Sequence, residues 1–292
     1  MVRQFLGLTS KEVCSYKKAE IVVVPVPFEV SVSYGKGTSW GPKAIIDASS
    51  QVELYDIDLD SEIYKRGVYT LPYVCGTSDL ANKKNRAKIF KKIENTATKI
   101  LKDEKKGVFL GGEHSITYPI VKAFKNYYKD IIVLHFDAHS DLRGSYEKDR
   151  LSHACVMKRV FDLGVEFVSI GIRSQCIEEA HLIKNKKLNI FYMKDICNNK
   201  KWIEKVISKL KNKKIYITFD VDFLDPSIMP ATGTPEPGGF LWSETLDFIE
   251  KIGASSAKIV GFDFVELAPI KNNNASDFLA AKLIYKMIGY LL

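Results

Sequence analysis

Histidine is scarce in this 292-residue chain, which carries only five. Cysteine is as rare: Cys14, Cys75, Cys155, Cys176 and Cys197 are odd in number, widely spaced and without a C-x-x-C pair. That pattern argues against a disulfide framework and for a reducing, cytoplasmic compartment. No apolar run approaches the ~20 residues that span a bilayer. The opening MVRQFLGLTSKEVCSYKKAE lacks the continuous apolar core of a signal peptide. Neither a Pro/Gly/Ser linker nor an internal repeat divides the chain, so residues 1–292 read as one domain.

A net charge of +8 raises the question of nucleic acid. The lysines, however, are scattered through helical stretches such as NKKNRAKIFKKIENTATKILKDEKK (82–106). There Ile89, Ile93, Ile100 and Leu101 fit a buried stripe, and the lysines fit its solvated side. With no basic patch interleaved with aromatics, no nucleic-acid partner is expected, and no membrane either.

What the chain does have is alternation. Apolar β-branched runs at 21–28, 107–112, 131–137, 167–173, 188–193, 214–222 and 257–267 read as strands. Amphipathic stretches near 82–104, 117–128, 152–163, 176–186, 200–211, 243–253 and 276–291 read as helices. Strands apolar on both faces and separated by helices predict an α/β fold with a mainly parallel sheet covered on both sides.

Polar residues gather where four of these strands end, in FLGGEHS, VLHFDAHSD, ITFDVDFLD and GFDFVELAP. Ligands of parallel sheets bind outside the carboxyl ends of the strands, so the four clusters are expected to be neighbours. Asp137, His139 and Asp141 fall at every second position, as do Asp220 and Asp222, which in extended backbone aims each set one way. His114, behind Gly111 and Gly112, can approach the same volume. Four carboxylates in one crevice repel and would force protonation. Two divalent cations would cancel their charge. Oxygen-rich ligation suits Mn²⁺ or Mg²⁺ better than tetrahedral Zn²⁺, and such a pair is a general device for activating water.

Taken together, GGEHS, DAHSD, SHACVMKR, FDVDFLDPSIMPATGTPEPGG and GFDFVELAP resemble the ureohydrolases, the family of arginase and agmatinase. SYGKGTSWGPKAI (33–45) extends the resemblance over nearly the whole chain. It implies a three-layer α/β/α fold, two Mn²⁺ per chain, a guanidino substrate split into an amine and urea, and a homo-oligomer, trimeric or hexameric. By the same resemblance His114, Asp137, Asp141 and Asp220 would hold one ion. Asp137, His139, Asp220 and Asp222 would hold the other, with Asp137 and Asp220 shared. Glu266 would grip the guanidinium, and His153 would move the proton. Asp141 counts with both the metal and the catalytic set.

His135 shares the strand face of Asp137 but is outside that set, so support of a ligand or plain packing is expected of it. The loop LRGSYEKDRLS (142–152) lacks the pattern by which arginases read an α-amino acid, and TGTPEPGG (232–239) is similar to the agmatinase branch. Agmatine, giving putrescine and urea, is the expected substrate. Arginine, 4-guanidinobutanoate (through Arg143) and a non-catalytic binding role are the alternatives.

Overall fold

A computed structural model describes residues 3–9, 12, 14–76, 83–199 and 201–292. Residues 82 and 200, the first of two expected helices, lie outside the described residues. The strands are β1 (Ile21–Val26), β2 (Tyr55–Asp56), β3 (Ser61–Glu62), β4 (Val68–Thr70) and β5 (Lys106–Gly111). They continue as β6 (Ile131–Phe136), β7 (Glu166–Ile172), β8 (Asn189–Tyr192), β9 (Lys214–Asp220) and β10 (Lys258–Val265). The helices are α1 (Gly41–Ser49), α2 (Arg86–Lys102), α3 (Thr117–Tyr128), α4 (Val156–Asp162) and α5 (Ile177–Lys186). After them come α6 (Met193–Cys197), α7 (Trp202–Leu210), α8 (Trp242–Gly253) and α9 (Ala275–Leu291).

Eight strands form one sheet in the order β4-β1-β5-β10-β9-β6-β7-β8. Each neighbouring pair in it is parallel. The reason is visible along β1, where Ile21 and Val23 enter one apolar layer while Val22, Val24 and Val26 enter the other. A strand apolar on both sides needs helices on both sides. One layer is completed by α1, α7, α8 and α9 through residues such as Ile45, Val206, Phe248 and Leu283. The other is completed by α2, α3 and α4 through Ile93, Phe124 and Met157. The result is the expected three-layer α/β/α architecture. The stripe Ile89, Ile93, Ile100 and Leu101 of α2 is buried as its spacing predicts. Among the described residues no helix is long and apolar enough to cross a membrane.

Helix α1, the five-residue helix α6, strand β4 and the pair β2–β3 escape the periodicity reading. Helix α1 opens with Gly41-Pro42, a breaker-like pair that is nonetheless tolerated in a first turn, where the missing N–H costs nothing. Strand β4 and the antiparallel pair β2–β3 are only two or three residues long. Strand ends also fall short of the apolar runs: β6 stops at Phe136 and β9 at Asp220.

Candidate metal centre and active site

The sheet order explains how distant segments meet. Strands β5, β10, β9 and β6 are consecutive neighbours, so the four polar clusters emerge side by side at one edge. Beyond β5, Gly112 passes so close to Phe28 that a Cβ there would lie 2.2 Å from the Phe28 carbonyl oxygen. Only glycine admits that approach. It leads into a 3-10 turn, His114–Ile116.

The aspartates do not all lie on extended strand, although their every-second-residue spacing predicts it. Asp137 to Asp141 lie beyond β6, and Asp141 adopts a left-handed backbone with φ of +51°. Asp222 sits in a 3-10 turn (Val221–Phe223), not in extended chain. Turns converge these side chains, and the carboxylates build the turns. Asp137 Oδ1 accepts from the His139 N–H, and Asp220 Oδ1 accepts from the Asp222 N–H at 2.9 Å. Asp222 Oδ1 in turn accepts from the Ala138 N–H at 2.9 Å, tying the two turns together.

At the centre is His114, 1 % exposed. Its Nδ1 lies 3.2 Å from Asp137 Oδ2, 3.2 Å from Asp141 Oδ2 and 3.3 Å from Asp220 Oδ2, and has no hydrogen-bond partner. A second group surrounds His139, whose Nδ1 is 2.8 Å from Asp222 Oδ2 and 3.6 Å from Asp137 Oδ1. Asp137 thus offers one oxygen to each group. An orphaned imidazole nitrogen facing three carboxylate oxygens is a donor set that fits a hard divalent cation.

The tautomer of His114 follows from a buried chain. Thr218 Oγ1 donates to Asp263 Oδ1 at 2.6 Å, so it accepts from His114 Nε2 at 2.8 Å. Thr117 and Tyr216 hydroxyls donate to the other Asp263 oxygen at 3.0 and 2.8 Å. Nε2 therefore carries a proton in either charge state, and Nδ1 is the nitrogen that faces the carboxylates. His135 is different: Nε2 meets Asp137 Oδ2 at 2.7 Å and Nδ1 meets Ser169 Oγ at 2.9 Å. Both its nitrogens are spent, which makes it a support for Asp137.

Electrostatics follow from crowding. Burial, with the charges of Asp222 and Asp137, drives Asp220 well above the ordinary carboxylate range. Burial and Asp137 raise Asp222. For His114 burial opposes the charged form, but Asp137, Asp141 and Asp220 outweigh it and hold the imidazole well above its usual value. His139, opposed by burial and favoured by Asp222 and Asp137, is pushed up to about 12. Cations placed among these groups would relieve the repulsion.

A cavity of about 250 Å³ opens over this cluster and is lined by His153, Glu266, Tyr34, Tyr146 and Arg143. Glu266 follows β10 with φ of +66°, a strained conformation for a side-chain-bearing residue. Its Oε1 accepts from the His114 N–H at 2.6 Å. Burial, then the nearby charges of Glu113 and Asp141, raise its pKa against the His114 contacts. The cavity roof is a glycine clasp: Gly35 N–H donates to the Gly233 carbonyl at 3.2 Å, and a Cβ on Gly35 would lie 2.8 Å from that oxygen. Arg143 lies over the Tyr146 ring, 5.2 Å from its centroid.

Two functional features escape a reading of motifs. Asp263 is visible only as a carboxylate inside the apolar strand GFDFV, a signal of a buried polar network. Arg173, whose guanidinium donates to the carbonyls of Gly171, Asp222, Glu236 and Pro237, gives no sequence signal at all.

A parallel sheet that gathers histidine and aspartate from three strand ends and a glutamate from a fourth defines a metallohydrolase-like α/β protein. The Arginase family model matches residues 19–289, and the chain belongs to that family. It is 38 % identical over 290 residues to the N(1)-aminopropylagmatine ureohydrolase of Synechocystis sp., covering 99 % of this chain and 94 % of that one. It is 36 % identical over 282 residues to the agmatinase of Bacillus anthracis, covering 94 % and 92 %. The crystal structure of the agmatine ureohydrolase of Thermoplasma volcanium superposes with a TM-score of 0.85 at 32 % identity, covering 99 % and 94 %. The chain is a hydrolase of the ureohydrolase class.

Proposed function

We propose that the chain is a manganese-dependent ureohydrolase that releases urea from an aliphatic guanidino-amine, agmatine or its aminopropyl derivative. The observation that carries this reading is the orphaned Nδ1 of His114 among the oxygens of Asp137, Asp141 and Asp220. His114, Asp137, Asp141 and Asp220 would hold one Mn²⁺. Asp137, His139, Asp220 and Asp222 would hold the second. When bound, the two ions supply a water nucleophile active near neutral pH and offset developing negative charge.

This chain's own residues do the rest. The Glu266 carboxylate, fixed by the His114 N–H, keeps an oxygen for the planar guanidinium, a cation that carboxylates bind by paired hydrogen bonds. That grip turns attack on the guanidino carbon into an effectively intramolecular step. His153, lining the same cavity, carries the proton that the departing amine needs.

The relatives bearing the aminopropylagmatine and agmatinase names are similar to this chain to nearly the same degree. The substrate expected from the sequence, agmatine alone, is therefore widened. Tyr34 at the mouth is 80 % exposed, leaving a way out for a longer tail. Urea release from the Mn²⁺-loaded protein is measured separately with agmatine, N1-aminopropylagmatine, arginine and 4-guanidinobutanoate. Release from either of the first two supports the reading. Release from only the carboxylate-bearing pair overturns it, and no release from any of the four favours a non-catalytic role.

A further inference from the structure

Behind His153 lies a second carboxylate that the mechanism above does not use. Glu113 is fully buried and accepts four hydrogen bonds. The Val30 and Ser31 N–H groups donate to Oε2, the latter at 2.6 Å, and the Ser31 and Ser115 hydroxyls donate to Oε1, the former at 2.8 Å. A carboxylate has about four acceptor sites, so Glu113 is saturated. The Ser31 hydroxyl proton is thereby committed, and towards any other group Ser31 Oγ can only accept.

That other group is His153. Its backbone N–H donates to Ser31 Oγ at 3.0 Å, and its ring Nδ1 lies 3.3 Å from the same oxygen. Ser152 Oγ is also 3.3 Å from Nδ1. An unprotonated Nδ1 would set its lone pair against those of Ser31. A protonated Nδ1 donates to Ser31 and to Ser152. We propose that Glu113 and Ser31 are positioning residues that fix His153 as its Nδ1–H tautomer. Nε2 is then the atom left to take and return the proton over the cavity. The kinetic consequence rests on the ureohydrolase reading; the tautomer does not.

Glu113→Gln tests the direction of the hydrogen bonds with the shape conserved. The amide oxygen can still accept the Val30 and Ser31 N–H groups. The amide NH₂ would donate to the Ser31 and Ser115 hydroxyls, so the Ser31 proton turns towards Nδ1. Ser31→Ala removes the link while leaving Glu113 its backbone partners. The readout is the ¹⁵N signal pair of His153 in Mg²⁺-loaded, diamagnetic protein at about pH 8.5, where an ordinary imidazole is neutral. With five histidines in the chain, the signal is assigned by its loss in His153→Asn.

The native protein should show Nδ1–H, and Glu113→Gln should shift the pair towards Nε2–H. In the same variant kcat should fall at least about tenfold with KM and metal content unchanged. A native Nε2–H signal, or an Nδ1–H signal that persists in Glu113→Gln, overturns the proposal. Should Glu113→Gln fail to fold by circular dichroism, a native Nδ1–H that loses dominance in Ser31→Ala supports it, and one unmoved there overturns it. Failure of every guanidino-amine to yield urea would sink the proposed function and leave the tautomer measurement standing.

Discussion

His114 Nε2 and Thr218 Oγ1 lie 2.8 Å apart in a wholly buried hydrogen bond, and the Thr218 proton goes on to Asp263. This pairing holds the His114 ring so that Nδ1 faces the three carboxylates. Groups that orient a metal-bound histidine typically govern metal affinity by 10–100-fold. Thr218→Val should therefore weaken Mn²⁺ binding by roughly that factor while the fold persists, as read by calorimetric titration. Unchanged affinity would show that packing alone holds the imidazole.

Asp137 reaches both histidine groups through its two oxygens. Asp137→Ala should remove metal from both positions, and Asp220→Ala, the other proposed shared ligand, should do the same. Metal per chain by mass spectrometry should fall from two equivalents toward zero, with activity falling in parallel. One equivalent retained in both variants would contradict a shared ligand.

His153 belongs to the cavity but not to the donor set. His153→Ala should keep both ions and lower kcat by about 10²–10⁴-fold, the usual contribution of a positioned proton carrier. Metal content and turnover measured on the same preparation separate this from loss of the site. Unchanged turnover would remove His153 from the mechanism.

Far from the cavity, the Lys286 ammonium on α9 is 3 % exposed and donates to Asp56 at 2.6 Å and to Asp58. Burial opposes the ammonium, yet Asp56 and Asp58 outweigh it and raise the Lys286 pKa. Burial likewise opposes the Asp56 carboxylate, yet Lys286 and the Leu59 N–H hold it below its usual value. The raised lysine contributes stability below about pH 10.4 that is lost as pH rises through its folded value. The lowered aspartate contributes stability above about pH 3.9 that is lost as pH falls through its folded value. Lys286→Met should cost up to about 3–5 kcal/mol near neutral pH, because Asp56 stays buried with only the Lys282 ammonium, 3.9 Å away, as its counter-charge. Urea denaturation would give that loss, and the deficit should shrink at both pH extremes. A pH-independent deficit would assign the effect to packing.

Much of the fold and site was legible because both rest on repeating physical patterns. Two-faced apolar strands forecast a covered parallel sheet, and the structure has one. Asp137, His139, Asp220 and Asp222 stood out because charge at the end of an apolar run is costly without a use. The conformations that converge them were not legible, since Asp141 and Glu266 adopt left-handed backbone that no composition rule signals. Ser31 was invisible too: its partners Glu113 and His153 lie 82 and 122 residues away. Strand order was equally hidden, because adjacency in a sheet depends on tertiary packing and leaves no local trace.

That order has a consequence for assembly during synthesis. β10, among the last segments to leave the ribosome, is inserted between β5 and β9 rather than added at a margin. Until it arrives, β4-β1-β5 and β9-β6-β7-β8 are two separate ribbons with raw inner borders, and His114 and Asp220 stand on opposite banks. A nascent chain halted before residue 258 would hold all six proposed metal donors, but on disconnected halves. It would also expose two unpaired strand edges that chaperones would have to shield.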